Sequence, residues 1–477
     1  MRQWMVAAKK ADFYAIAEKF HVDPVVARII RNREVIGEKN IRIYLGGNLS
    51  DLSDPHQMKD MDRLVEILAQ KIRKQVHIRI IGDYDVDGVT SSHLFLTALR
   101  RVGAKVDVVI PHRIQDGYGL SLHLLQQAKE DGVDTILTCD NGIAAIDEIA
   151  WAKAQKMTVL VTDHHAVPFE EHEGRRTEKK SLADAVVNPH QQDCGYPYKE
   201  LCGAGVAWNV IRVLYENYDM DKREAEDLLD FVAMATVCDV MSLTGENRIL
   251  VKEGLKRIRH TKNIGLQALM QACNVQPENI SAYHFGYVLG PCVNATGRLD
   301  TARHALRLFE TGQETEAEEI ARDLVDLNQE RKELTLQGVE MAKKLCEEGG
   351  YENDPILVLF LPDVHESIAG LIAGRIREMY NRPVFVLTRG EEGVKGSGRS
   401  TENYSMYENM CGCAELFTKF GGHPMAAGLS LPEENVEKFR RKINENCPLT
   451  VEEVCPDIHI DMAMPVGYAS TELVHQF

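Results

Sequence analysis

The strongest constraint on the fold is an alternation. From residue 76 onward, short β-rich runs alternate with segments of helical period. VHIRIIGD (76–83) leads into SSHLFLTALRRVG, whose apolar residues recur at helical spacing and which closes on Gly103. KVDVVIP (105–111), TILTCD (135–140), TVLVTD (158–163) and VVNP (186–189) are further strand-like runs, and IDEIAWAKAQK is a helix between two of them. Strands alternating with helices predict a parallel sheet covered by helices on both faces. In such sheets, binding groups gather beyond the carboxyl ends of the strands.

That rule collects the acidic residues. IGDYDVDG (81–88) sets Asp83, Asp85 and Asp87 at every second position after one strand. Asp140, in TCDNG, ends another, and Asp163-His164-His165 a third. Asp239 closes the apolar run FVAMATVC, either as a helix end facing water or as a further contribution to the same place. Crowded carboxylates repel one another unless something positive sits among them. Three solvated loop aspartates are the plain reading of the octapeptide alone; a cation site is the other. Oxygen and imidazole donors suit manganese or magnesium better than a thiolate-seeking metal. Several carboxylates could hold two ions, the arrangement that serves hydrolysis at phosphorus.

Composition narrows the class. At 477 residues the chain has room for two or three domains. A net charge of −17 argues against a protein that coats nucleic acid through a broad basic face, though not against a nucleic-acid enzyme. No stretch approaches the ~20 apolar residues of a membrane span, and MRQWMVAAKKADFY lacks the apolar core of a signal peptide. Eleven scattered cysteines fit reduced thiols in a cytoplasmic protein, and Cys411-Gly-Cys413 is read as structural.

Residues 314–347 are charged, with Ile320, Leu324, Leu327, Leu334 and Met341 at roughly helical intervals: a solvated linker helix with one buried stripe. PILVLFLP then opens a second alternating region. It contains the glycine-rich GVKGSGRS, with Ser397 and Arg399, and GGHPMAAGLSL, with His423. Glycines let backbone N–H groups approach an anion, and arginine can grip it bidentately.

GDYDVDG, CDNG, TDHH and the aspartate of ATVCDV together resemble the DHH phosphoesterase superfamily, and GSGRS with GGHPMAAG resembles its DHH-associated C-terminal domain. PHRIQDGYGLS (111–121), CGAGVAW (202–208), GENRILVKEGL (245–255) and GPCVNATGRLD (290–300) are similar to the RecJ-type single-strand-specific DNA exonucleases. The resemblance implies an N-terminal helical segment (1–70), a DHH catalytic domain (71–313), a linker helix (314–347), a smaller α/β DHH-associated domain (348–447) facing the first across a cleft, and the start of an incomplete OB-fold (448–477). It further implies two divalent cations, manganese before magnesium, on Asp85, Asp87, Asp140, His164 and Asp239, with Asp83 a further ligand or neighbour. His165 falls near the scissile phosphate, Arg113, Tyr118 and Arg298 along the strand, and Ser397, Arg399 and His423 at phosphates in the second domain.

The implied activity is 5′→3′ hydrolysis of single-stranded DNA to mononucleotides in recombination and repair. Single-strand-binding protein and a RecQ-type helicase are the implied partners. A DHH phosphoesterase for short RNA or small cyclic dinucleotides, and a non-catalytic scaffold, are the alternatives. Two positions depart from the pattern: Cys292 stands where relatives carry arginine, and Ile81 where several carry histidine.

Overall fold

A computed structural model of the chain describes residues 4–113, 116–117, 119–172, 175–351, 354–390, 393–449 and 458–477. They fall into two compact units: Val35–Asn328, and Met1–Glu34 together with Gln329–Phe477.

The first unit is built on a five-stranded parallel sheet of β1 (Ile78–Ile81), β2 (Val106–Val109), β3 (Thr135–Cys139), β4 (Thr158–Thr162) and β5 (Ala185–Val187). Its spatial order is β2-β1-β3-β4-β5. The side chains of β1, β3 and β5 are buried throughout, as expected where helices cover both faces of a parallel sheet. The strands end nearly in register: Ile81 pairs with Val109 and Thr138, Cys139 with Thr162, and Thr162 with Val187. The residues that follow these ends therefore emerge along one edge. This is the α/β architecture that the alternation predicts.

Helix α1 (Val86–Arg101) begins where the aspartate motif ends. Asp85 caps it, accepting a hydrogen bond from the Gly88 amide at 3.0 Å. Helix α2 (Gly203–Asn217) packs on β3 and β4, and α3 (Leu229–Cys238) packs on α1 and α2; both are largely buried. Phe231 of α3 meets Phe309 edge-on, with ring centroids 5.0 Å apart. The pattern of the sequence did not announce a two-stranded antiparallel hairpin, Phe169–His172 with Arg175–Glu178.

The helix Glu314–Glu348 (α5, after α4 at Gly290–Leu299) spans the expected linker. Its buried face departs from the expected stripe. Ala317, Ile320, Ala321 and Leu324 are buried in the core of the first unit. Farther along, Val339, Ala342 and Cys346 enter the core of the second, while Met341 is exposed. The two halves pack against different cores, so one straight apolar stripe does not serve both.

The second unit holds a mixed sheet of β6 (Leu357–Phe360), β7 (Val384–Gly390), β8 (Gly393–Arg399), β9 (Lys419–His423) and β10 (Ala426–Leu431), in the order β9-β10-β8-β7-β6. Helix α6 (Ala369–Tyr380) packs on it. In the same unit Trp4–Val6 pairs in parallel with Ile458–Ile460, within the stretch where the sequence suggested the opening of an OB-fold. Among the described residues no helix is long and apolar enough to cross a membrane.

Candidate metal centre

Three overlapping groups of donors lie at the edge where the parallel strands end. Asp83, Asp85 and Asp140 form one, Asp87, His164 and Asp239 the second, and Asp140, His164 and His165 the third; within each, the ligand atoms lie within 4.8 Å of one another. The sharing of Asp140 and His164 joins them into a single centre. Asp239, which from sequence alone had two readings, belongs to it.

Each side chain is placed by backbone geometry. Gly82 and Gly88 let the 83–87 loop fold back on itself: a Cβ at Gly88 would lie 2.5 Å from the Asp83 backbone. The turn overrides the strand period of two and lets the three aspartates converge. Asp140 adopts a left-handed backbone, φ 61°, a region that aspartate tolerates better than most residues. Gly203 makes room for it, since a Cβ there would stand 2.6 Å from the Asp140 Cβ. Asn141 ties the two strand ends together, donating to the carbonyls of Ile81 (3.0 Å) and Cys139 (2.8 Å).

Asp87 is held by the start of α2. The amides of Gly203 and Ala204 donate to its two carboxylate oxygens at 2.6 and 2.7 Å, where the helix dipole favours negative charge. The remaining carboxylates are strained electrostatically. Burial, and then Asp85, raise Asp83 well above the usual carboxylate range. Burial, followed by Asp87, Asp85, Asp83 and Asp239, does the same to Asp140. Asp85 is raised by burial and by Asp87, and Asp239 is pushed up to about 8 by burial, Asp87 and Asp85.

These residues fit a divalent cation. Asp83 is fully buried, yet neither carboxylate oxygen has a hydrogen-bond partner of good geometry. His164 Nε2 is likewise buried and makes no hydrogen bond, although Asp140 Oδ1 lies 3.1 Å away and carboxylate oxygens of Asp87 and Asp239 each 3.7 Å. Burial holds this imidazole below its ordinary pKa, leaving a neutral nitrogen suited to coordination. Buried, unsatisfied, like-charged donors on this scale are costly without a positive partner.

His165 differs from its neighbour. Its Nδ1 donates to Asp163 Oδ1 at 2.8 Å. Burial works against charge on the ring, but Asp163 outweighs it and raises the imidazole to about 9. Asp163 is itself fully enclosed. Against the cost of burial, His165 and the amides of Ile143 and His165 keep its carboxylate below the ordinary value. Asp163, Gly203, Ala204 and Asn141 are contributors that the sequence reading left without a role. The strand-end rule already reached Asp163; the CGAGVAW segment contains Gly203 and Ala204, but nothing in it showed that their amides would hold Asp87.

Beside the aspartates, the Arg113 guanidinium lies 4.0 Å from the Tyr84 ring centroid, and its Nε donates to the Gly297 carbonyl at 3.0 Å. Arg298 lies close enough to act on the same tyrosine: burial raises Tyr84 to about 12, while Arg113 and Arg298 pull against the rise. Tyr118 lies outside the described residues. Cys292 is buried, accepting from Asn328 Nδ2 at 3.4 Å and donating to the Val288 carbonyl at 3.2 Å. Ile81 is buried in β1.

Ser397, Arg399 and His423 lie in the other unit. Ser397 pairs across β8 and β10 with Gly428, which pairs with Gly421; Arg399 pairs with Ala426, which pairs with His423. Side chains two apart share a face, so these three residues stand on one side of the sheet, over a floor thinned by glycines. The Arg399 guanidinium rests against Gly370 at the start of α6, where a Cβ would meet Nη2 at 2.8 Å. Burial and then Arg377 disfavour its charge, as expected at a place that an anion would complete. Arg377, on α6, is another residue the sequence reading passed over.

Comparisons with known proteins identify the family. Residues 77–236 match the DHH family, N-terminal domain, and residues 353–447 the DHHA1 domain. The single-stranded-DNA-specific exonuclease RecJ of Bacillus subtilis is 33% identical over 96% of this chain, which spans only 57% of that protein's length. The crystal structure of RecJ from Thermus thermophilus in complex with Mn2+ superposes with a TM-score of 0.79 at 28% identity, covering 96% of this chain and 64% of that one. The RecJ of Haemophilus influenzae is 36% identical over 88% of this chain and 74% of its own length. The ordered motifs, both domain matches and this coverage lead to one conclusion: the chain belongs to the RecJ family.

Proposed function

We propose that this chain is a metal-dependent exonuclease that degrades single-stranded DNA from the 5′ end and releases 5′-mononucleotides. The overlapping donor groups that share Asp140 and His164 carry the reading, because they suit two adjacent ions. Asp83, Asp85 and Asp140 would hold one cation and Asp87, His164 and Asp239 the other, with manganese preferred and magnesium the substitute; the names of the relatives support both substrate and metal. Bound there, the ions supply Lewis-acid activation of water and neutralise charge at phosphorus.

The chain's own residues do the rest. Asp163 fixes the ring of His165 beside the donors, so that the imidazole meets a phosphate oxygen in one orientation. Arg113 and Arg298, both close enough to Tyr84 to act on it, grip the strand. Ser397, Arg399 and His423 take the terminal 5′-phosphate on the glycine-floored sheet face, which sets the polarity of attack. By family likeness the working context is cytoplasmic DNA recombination and repair, with single-strand-binding protein and a RecQ-type helicase as partners.

The test is purified protein, manganese and end-labelled single-stranded DNA. A 5′ label should appear first as mononucleotide, and Asp140→Ala should abolish its release. Internal fragments as first products, or undiminished release by the variant, would overturn the reading.

A further inference from the structure

Two tyrosines stand exposed where a soluble surface has little reason to hold them. Tyr283 is 61% and Tyr287 71% exposed. Their rings are stacked, with centroids 5.1 Å apart and planes within 24°. Single exposed apolar side chains are ordinary; a stacked, outward pair presents one continuous aromatic surface.

The backbone beneath is fixed. Ser281 and His284 form a capping box at the start of the helix, and residues 285–289 make a π-helical turn that runs without a break into α4. That turn is clamped to the end of α3. Cys238 Sγ donates to the Phe285 carbonyl at 3.3 Å, and a Cβ at Gly290 would meet the same sulfur at 2.3 Å. The next residue along α3 is Asp239 of the metal centre. π-turns inside helices occur often at functional sites. Val240, 88% exposed, follows with a left-handed backbone, φ 58°, which a β-branched residue adopts only under constraint.

The same helical run leads to the arginine cluster. Arg298 lies eleven residues beyond Tyr287 on the same unbroken helical run, about three turns away. Asn294, between them, accepts from the Val86 amide at 3.2 Å, and Gly297 sits against the Tyr84 carbonyl, where a Cβ would come within 2.5 Å. The run is thus docked on the aspartate loop at one end and carries the open aromatic pair at the other.

We infer that Tyr283 and Tyr287 form a stacking platform for bases of the single strand, on the 3′ side of the phosphate under attack. Every base has a π-face, so such a platform binds without reading sequence. The inference rests on the proposed function for its occupant. It adds a second hold on the substrate, one that a strand too short to leave the metal centre cannot use.

The experiment measures anisotropy of labelled oligothymidylates with the full chain in chelator, so that binding is separated from hydrolysis. One strand has roughly 20 nucleotides, longer than a single-strand site; the other is a trinucleotide. Tyr283→Ala/Tyr287→Ala should weaken the long strand about tenfold more than the trinucleotide. Tyr283→Phe/Tyr287→Phe, which keeps both rings, should retain wild-type affinity. Equal loss on both strands, no loss on the long one (as for a platform that serves a protein partner), or a Phe variant as weak as the Ala variant would overturn the inference. Mononucleotide release by wild-type protein is scored separately, so loss of the platform and failure of the exonuclease reading give different results.

Discussion

Gly88 lies against the backbone of Asp83: a Cβ at residue 88 would stand 2.5 Å from the Asp83 nitrogen, carbonyl carbon and carbonyl oxygen. None of these atoms can move without shifting the loop that carries Asp83, Asp85 and Asp87. Gly88→Ala should therefore lower mononucleotide release by at least about 100-fold, the scale of an ångström-sized displacement in a catalytic site. Manganese titration by calorimetry should show weakened binding in the same variant. Wild-type manganese affinity in Gly88→Ala would show that the close approach is dispensable.

Asp163 touches none of the proposed ion positions, yet it orients His165 and accepts the Ile143 amide at 2.8 Å. Asp163→Asn keeps its shape and removes the charge that holds the imidazole. Turnover should fall about 10- to 100-fold, as with other groups that orient a working histidine. Thermal melting and manganese binding should change much less, and the contrast between the two readouts is the test.

Asp140 should change sign with the metal. Without cations, burial and the neighbouring carboxylates disfavour an ionisation that the unfolded chain allows, so near neutral pH Asp140→Asn should melt above wild type in chelator; asparagine also tolerates the left-handed backbone there. With manganese at about 100 times its Kd, wild type should gain roughly 2.7 kcal/mol and overtake the variant. Melting curves in chelator and in manganese check both halves. The same order of stability in both buffers would count against a cation at Asp140.

Asp230 offers a pH test away from the metal centre. It is buried, accepts from the Phe231 amide at 2.8 Å and from the Thr261 hydroxyl at 2.6 Å, and is raised to about 6, chiefly by burial. The folded protein thus holds a proton there that the unfolded chain releases near pH 4. Its contribution to stability is complete below that pH and is lost as pH rises through 6, to a limit of about 3 kcal/mol. Asp230→Asn should match wild type near pH 4 and exceed it increasingly up to about pH 6, then level off. Nearby His93, pushed by burial to about 3, acts in the opposite sense in both proteins, so the difference between their melting curves isolates Asp230. A flat difference from pH 4 to 7 would refute the assignment.

Much of the centre could be read from strand ends. Period and composition located Ile78–Ile81, Thr135–Cys139 and Thr158–Thr162 to within a residue or two, and the topology of a parallel sheet then brought Asp83, Asp140 and His164 to one edge. What could not be read is made of backbone. The amides that hold Asp87 come from Gly203 and Ala204, more than a hundred residues away, and any residue but proline supplies an amide. Ser397, Arg399 and His423 drew notice for their glycine neighbours, but only strand register sets them on one face. Tyr283 and Tyr287 had helical spacing that is equally at home in a core; their exposure is a property of the folded chain.

The parallel pairing of Trp4–Val6 with Ile458–Ile460 sets a timetable. About 450 residues separate the two strands, so a ribosome adding ~5–20 residues per second needs roughly 20–90 s between them. Throughout that interval the first strand must wait without its neighbour, its Trp4, Met5 and Val6 side chains in water, while the unit of Val35–Asn328 already has every strand of its sheet. The unit of Val35–Asn328 can therefore be assembled before the strand that pairs with Trp4–Val6 has been made.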